Sequence, residues 1–187
     1  FDLFLNFPEL FNIYFLPKNS TFEPLFDGFP LKSNKRMKLS KLLLRKGYTK
    51  IKLKKINTNH FEFKARLNGI RGRFILDTGA SNSCIDDGLI EKFKLQQVED
   101  SETKAAGAGA IGMDTQTSSG NILKIKNWIY HKFTIVILNL SHVNTALTEY
   151  KAKPIHGIIG ADVLEKGDAI IDYKKKRLYL KKTIYKY

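Results

Sequence analysis

Residues 61–76 read as one β-hairpin, and that constrains the fold more than any other feature of the chain. Phe61-Glu62-Phe63-Lys64-Ala65-Arg66-Leu67 alternates apolar and charged side chains, the period that puts alternate residues on opposite faces of a strand. Asn68-Gly69 follows, a pair that tolerates the positive φ angles of a two-residue hairpin turn. Arg73-Phe74-Ile75-Leu76 then returns as a strand and ends at Asp77. Lys50-Ile51-Lys52-Leu53-Lys54 alternates in the same way. The lysines therefore occupy the solvent face of an antiparallel sheet. Further strands are expected at 121–126 (Ile122, Leu123, Ile125) and 133–140 (Phe133, Ile135, Val136, Ile137, Leu138). A hairpin is expected from 169–173 and 177–180, around a lysine-rich turn. Helices are short: a basic one over 38–46 stopped by Gly47, and one over 161–165 closed by Gly167. Residues 85–97 read as a short helix or irregular stretch, and 141–156 as irregular. Residues 103–120 are rich in Gly, Ala, Ser and Thr. The pattern predicts an all-β, closed barrel-like domain with one or two short helices.

The chain has 187 residues, enough for one domain with a sizeable core. A single cysteine, Cys84, excludes an internal disulfide framework and a Cys-rich zinc site. It reads as a small buried residue rather than a nucleophile. The histidines at 60, 131, 142 and 156 have no ligand spacing, so neither a metal nor a cofactor is expected. No apolar run approaches the roughly 18 residues of a membrane span. No secretory signal is legible, which leaves the cytoplasm as the default location.

Charge is unevenly placed. The formal net charge is +14, yet residues 1–36 are neutral, with four basic and four acidic side chains. The first 30 residues also hold eight of the 13 Phe and four of the five Pro. Two readings of this extension compete: it packs its aromatics on the main domain, or it lies outside the functional protein as upstream sequence. Phe1 is not an initiator, and Met37 with Lys38-Leu39-Ser40-Lys41 makes a plausible start, which favours the second. The expected organisation is an aromatic, Pro-rich extension over 1–36, a basic helix within 37–49 and one domain over 50–187.

The candidate chemistry sits where the hairpin ends. In Phe74-Ile75-Leu76-Asp77-Thr78-Gly79-Ala80-Ser81 an apolar strand delivers a carboxylate, then a small hydroxyl residue and a glycine. The plain reading is an Asp that opens a turn. Two later segments add to it: Gly107-Ala108-Gly109-Ala110-Ile111-Gly112 and Ile158-Ile159-Gly160-Ala161-Asp162-Val163-Leu164. With these three elements in this order, followed by Ile171-Asp172-Tyr173 and Leu178-Tyr179-Leu180, the sequence resembles the single-domain, cellular and bacterial type of retropepsin-like aspartic protease. The resemblance covers roughly residues 50–182 and leaves 1–49 out.

The resemblance implies hydrolysis of peptide bonds by a pair of aspartates that share one proton, one acting as base on water and the other as acid. This chain supplies one such residue, Asp77. Asp86, Asp87, Asp162, Asp168 and Asp172 lack the motif. A homodimer with Asp77 contributed twice is therefore implied. Thr78 would bond across the dimer axis, and Gly79 would permit the close approach of two loops. Ala80 and Ser81 would complete the loop, with Ile158, Ile159 and Gly160 packed beneath it. Residues 107–112 would form the flap over a bound peptide, with Ile111 facing substrate. Ala80 carries no hydroxyl where pepsin-like relatives usually have one, which predicts an optimum at mildly rather than strongly acidic pH. The long interval from Gly112 to Ile158 leaves the flap boundaries open.

Three functions compete on this reading. An aspartic endopeptidase is preferred. A retropepsin-fold dimer that binds peptide without cleaving it is the second. The third, a basic nucleic-acid binder, is motivated by the +14 charge. No recognised binding motif supports it, so no specific nucleic-acid partner is expected.

Overall fold

The computed structural model describes residues 37–100, 105–107, 110–113 and 115–182; the extension expected over 1–36 lies outside them. The chain runs α1 (Leu39–Arg45), β1 (Tyr48–Lys52), β2 (Lys54–Lys55), β3 (Phe61–Leu67), β4 (Ile70–Leu76) and β5 (Cys84–Asp86). A 3-10 turn over Asp87–Leu89 leads to β6 (Val98–Asp100), β7 (Ala105–Gly107), β8 (Ala110–Met113), β9 (Gln116–Ile125) and β10 (Trp128–Leu138). Then come α2 (Ser141–Glu149), β11 (Gly157–Ile159), α3 (Ala161–Lys166), β12 (Ile170–Asp172) and β13 (Arg177–Lys181).

The main sheet runs β2-β3-β4-β11-β5-β10-β9-β6, and a further pairing of β3 with β9 closes six of its strands into a barrel. Closure removes the free sheet edges of those six strands. A three-stranded sheet, β1-β13-β12, joins the two ends of the domain. Between the sheets lies one core that includes Phe63, Phe74, Phe93, Trp128, Phe133 and Leu178. Each fully buried side chain of this size contributes roughly 1.5–3 kcal/mol.

The β3–β4 turn forms as the sequence predicts. Asn68 and Gly69 have φ of 48° and 82°, both positive as this hairpin turn requires. The Asn68 side chain does more than permit the turn. Its amide donates to the carbonyls of Phe93 and Lys94 and to Asn121 Oδ1, and its oxygen accepts the Ile122 N–H. The turn is thereby tied to β9 and to the segment before β6.

Four expectations need correction. Residues 85 and 86, at the start of the stretch over 85–97 read as helical or irregular, belong with Cys84 to β5. Residues 141–149, read as irregular, form α2. Ser, Asn, Thr and Val give this helix weak intrinsic propensity, so packing and capping hold it. Leu147 joins a small core with Ile56, Ile75 and Ile155. Asn144 bonds both the N–H and the carbonyl of Ile155, and Asp86 and Asn139 accept the Leu140 and Ser141 N–H groups. The strand expected at 121–126 begins at Gln116, and the one expected at 133–140 begins at Trp128. Trp128 is buried there, and its indole N–H donates to the Lys181 carbonyl.

Candidate active site

The site is built by three short strands. The chain leaves β4 at Asp77, loops through residues 78–83 and returns as β5. A slot one strand wide remains between β4 and β5, and β11 fills it. β11 pairs parallel to β4 (Ile158 with Ile75, Ile159 with Leu76) and antiparallel to β5 (Ile158 with Cys84). Two glycines make the fit possible. A Cβ on Gly157 would lie 2.2 Å from the Cys84 carbonyl oxygen, and one on Gly160 would lie 2.6 Å from that of Ala80.

Asp77 is half-buried at the mouth of this arrangement. Its N–H donates to the Ile159 carbonyl at 3.0 Å, and its Oδ1 accepts the Gly79 N–H at 2.8 Å. A charge-assisted bond of this kind is stronger than a neutral one, and it fixes the carboxylate against its own loop. Thr78, Gly79 and Ser81 are exposed at the tip. Among the described residues no other carboxylate is hydrogen-bonded to Asp77. The loop is anchored from below: Ala161 N–H donates to the Ala80 carbonyl at 2.8 Å, and Asp162 N–H to that of Ser81 at 3.2 Å.

One positioning residue escapes sequence reasoning. Ser83 is fully buried. Its hydroxyl donates to Asp162 Oδ1 at 2.7 Å and accepts the Gly160 N–H at 3.0 Å. It thus bolts the Asp77 loop to the turn between β11 and α3. In sequence it lies in Ser81-Asn82-Ser83 and looks like any loop serine. Ser83→Ala strands a buried N–H, so a loss of about 1–3 kcal/mol is expected in urea unfolding. A loss indistinguishable from that of Ser81→Ala, at the exposed tip, would contradict this role.

The segment expected as a flap is a β-hairpin in its described part. Ala105, Ala106 and Gly107 pair with Met113, Ile111 and Ala110. Gly107, Ala110, Ile111 and Gly112 of the expected flap lie on its two strands, and the boundaries extend to 105 and 113. Ala108 and Gly109 lie outside the described residues.

Cys84 is buried, and burial pushes its thiol up to about 12. That leaves the thiol protonated and unreactive at neutral pH. Among the described residues no cluster of His, Cys, Asp and Glu could hold a metal ion. No described helix is long and apolar enough to cross a membrane.

His156 immediately precedes β11. Its Nδ1 accepts the Arg73 N–H at 2.9 Å, and its Nε2 lies 3.1 Å from Lys92 Nζ. Burial, then Lys92 and Arg73, hold the imidazole below its ordinary value of 6.5. A depressed histidine contributes stability that is present above its unfolded pKa and lost as pH falls through the folded one. The domain should therefore lose stability progressively below about pH 6.5. His156→Asn keeps an acceptor for Arg73 without titrating, so unfolding midpoints should converge on wild type as the pH falls. A gap that stays constant with pH would contradict this.

A family model described as "Aspartyl protease" matches residues 63–163. The chain belongs to the aspartyl protease family. The match runs from the first strand of the hairpin through the Asp-Thr-Gly loop to the start of α3. In this family member the closed six-stranded barrel is the retropepsin-like fold expected from the sequence. Solved structures similar to it include the protease of EIAV in complex with the inhibitor HBY-793, at 18% identity and a TM-score of 0.46. That alignment covers 59% of this chain and 90% of the other. A retropepsin-like aspartic protease from Rickettsia conorii aligns at 17% identity and 0.47, covering 72% and 88%. The retroviral protease-like domain of Ddi1 from Leishmania major aligns at 15% and 0.43, covering 64% and 86%. No curated protein sequence matches the chain.

Proposed function

We propose that this protein is an aspartic endopeptidase that works as a homodimer, with Asp77 contributed once by each copy at a two-fold axis. One observation carries the reading. Asp77 is held by the Gly79 N–H on an exposed Asp-Thr-Gly tip, with no second carboxylate bonded to it among the described residues. General acid–base hydrolysis needs two such groups, and apposing two copies of the tip would supply the second. Two carboxylates about 3 Å apart cannot both ionise, so they would share one proton. The ionised member would take a proton from water as that water attacks the peptide carbonyl carbon. The protonated member would give its proton to the carbonyl oxygen, and the roles would then reverse: the newly protonated member would give its proton to the amide nitrogen as the C–N bond breaks, and the other would take a proton back from the diol, leaving a carboxylic acid and an amine.

The remaining roles are those the family resemblance implies. Thr78 would bond across the axis, Gly79 would let the loops meet, and Ala80 and Ser81 would rest on Ala161 and Asp162. Ile158, Ile159 and Gly160 would hold the loop from beneath, and the hairpin containing 107–112 would close over substrate and exclude water. The deciding test is cleavage of a diverse peptide library by the full chain beside Asp77→Asn, from mildly to strongly acidic pH. Cleavage by wild type alone is expected.

A further inference from the structure

We infer that the outer face of the β3–β4–β9 corner is a docking surface for the phosphate backbone of a nucleic-acid duplex. Lys64 and Arg66 on β3, Arg71 on β4, Lys124 on β9 and Lys126 in the turn after it are all exposed. With Ala65 they line one cavity of about 250 Å³. The strand register creates the cluster. Arg66 lies opposite Arg71 on one side and opposite Lys124 on the other, so three cations stand in one row across three strands. Lys64, two residues back along β3, extends the patch by about 6.8 Å, and Lys126, in the turn after β9, lines the same cavity.

This arrangement is costly for an isolated protein. Like charges directly opposite each other destabilise a sheet. The ion pairs among the described residues are Arg73–Glu62, Lys175–Asp172 and Lys181–Asp168, and none includes the five. Arg66 and Lys126 donate instead to the carbonyls of Gly69 and Lys50, which leaves their charge uncompensated. A bound polyanion would relieve the repulsion.

Charge density selects the anion. An extended acidic peptide aims one carboxylate at a surface every 6.8 Å or so, and would meet this patch with about two. A duplex carries one charge per roughly 1.7 Å of axis over its two strands, so about 10 Å of it offers about three phosphates on the facing strand, with about three more on the second strand beside it. No aromatic side chain lines the patch, so it lacks the stacking platform that single strands use. Arg71 lies six residues before Asp77 along β4, about 20 Å away, so docking there would leave the Asp-Thr-Gly loop free. The inference does not depend on peptidase activity.

The test is fluorescence anisotropy of a labelled mixed-sequence DNA duplex with the full chain at several salt concentrations. Five phosphate contacts predict a slope of log affinity on log salt near −4.5, about a 500-fold loss between 50 and 200 mM. The double variant Arg66→Gln/Lys124→Gln should flatten the slope to about −2.7, a loss of about 40-fold. Lys174→Gln/Lys175→Gln, in the turn between β12 and β13, should leave it unchanged. Because the first variant also removes like-charge contacts, it should melt no lower than wild type without DNA, which guards against misfolding. An unchanged slope in that variant overturns the proposal. So does equal displacement of the duplex by poly-glutamate, tighter binding of a single strand, or equal binding to phosphatidylserine vesicles.

Discussion

Asp77→Asn should abolish peptide cleavage, lowering kcat/KM by about 1000-fold or more, since general acid–base groups contribute 10²–10⁴ each and the substitution would remove both copies at once. The variant is a clean probe because of how the loop is held. Asparagine keeps an oxygen where Asp77 Oδ1 accepts the Gly79 N–H, so the turn retains its anchor while the ionisable group is lost. Unfolding free energies of the two proteins should therefore agree to within about 0.5 kcal/mol. Mixing the two chains tests the shared site. If each active centre needs Asp77 from two copies, an equimolar mixture that reassorts freely retains about a quarter of the wild-type rate at the same total concentration, because only that fraction of dimers is wild type on both sides. Chains acting singly would retain about half. The second outcome would sink the homodimeric dyad even if Asp77 proved essential.

The legible parts of this molecule are those written locally. The β3–β4 hairpin is specified by its own alternation and by Asn68-Gly69, and Asp77 by its place at the end of that hairpin. The helix closed by Gly167 and the terminal hairpin likewise need only neighbouring residues. What escaped is decided at a distance. α2 has a poor helical sequence and exists because Leu147 finds Ile56, Ile75 and Ile155. β5 and β11 have three residues each, too few for any period, and become strands only by pairing with each other and with β4 and β10. Ser83 gains its role from Asp162 and Gly160, about 80 residues on. The basic row is a product of register. Arg66, Arg71 and Lys124 look like ordinary solvent-facing residues until β9 closes the barrel against β3.

Among the described glycines, Gly157 on β11 is the one where an added side chain would meet another atom most closely. Gly157→Ala should cost about 3–5 kcal/mol, beyond the 1–3 of ordinary overpacking. The added methyl group would stand 2.2 Å from the Cys84 carbonyl oxygen and 3.1 Å from the Phe74 ring. The first of these is backbone, which has no alternative rotamer. Gly157 pairs with Phe74 on one side and Ile85 on the other, so β11 cannot retreat from one neighbour without entering the next. A loss of this size would consume much of the 5–15 kcal/mol that a domain typically has. Gly47→Ala is the informative contrast. Its Cβ would meet nothing within 4 Å, but φ is +83°, so only backbone strain of about 1–2 kcal/mol opposes it. Urea unfolding of both variants separates steric from conformational cost. A Gly157→Ala protein as stable as Gly47→Ala would mean that β11 is not wedged between β4 and β5, and the support proposed for the Asp77 loop would go with it.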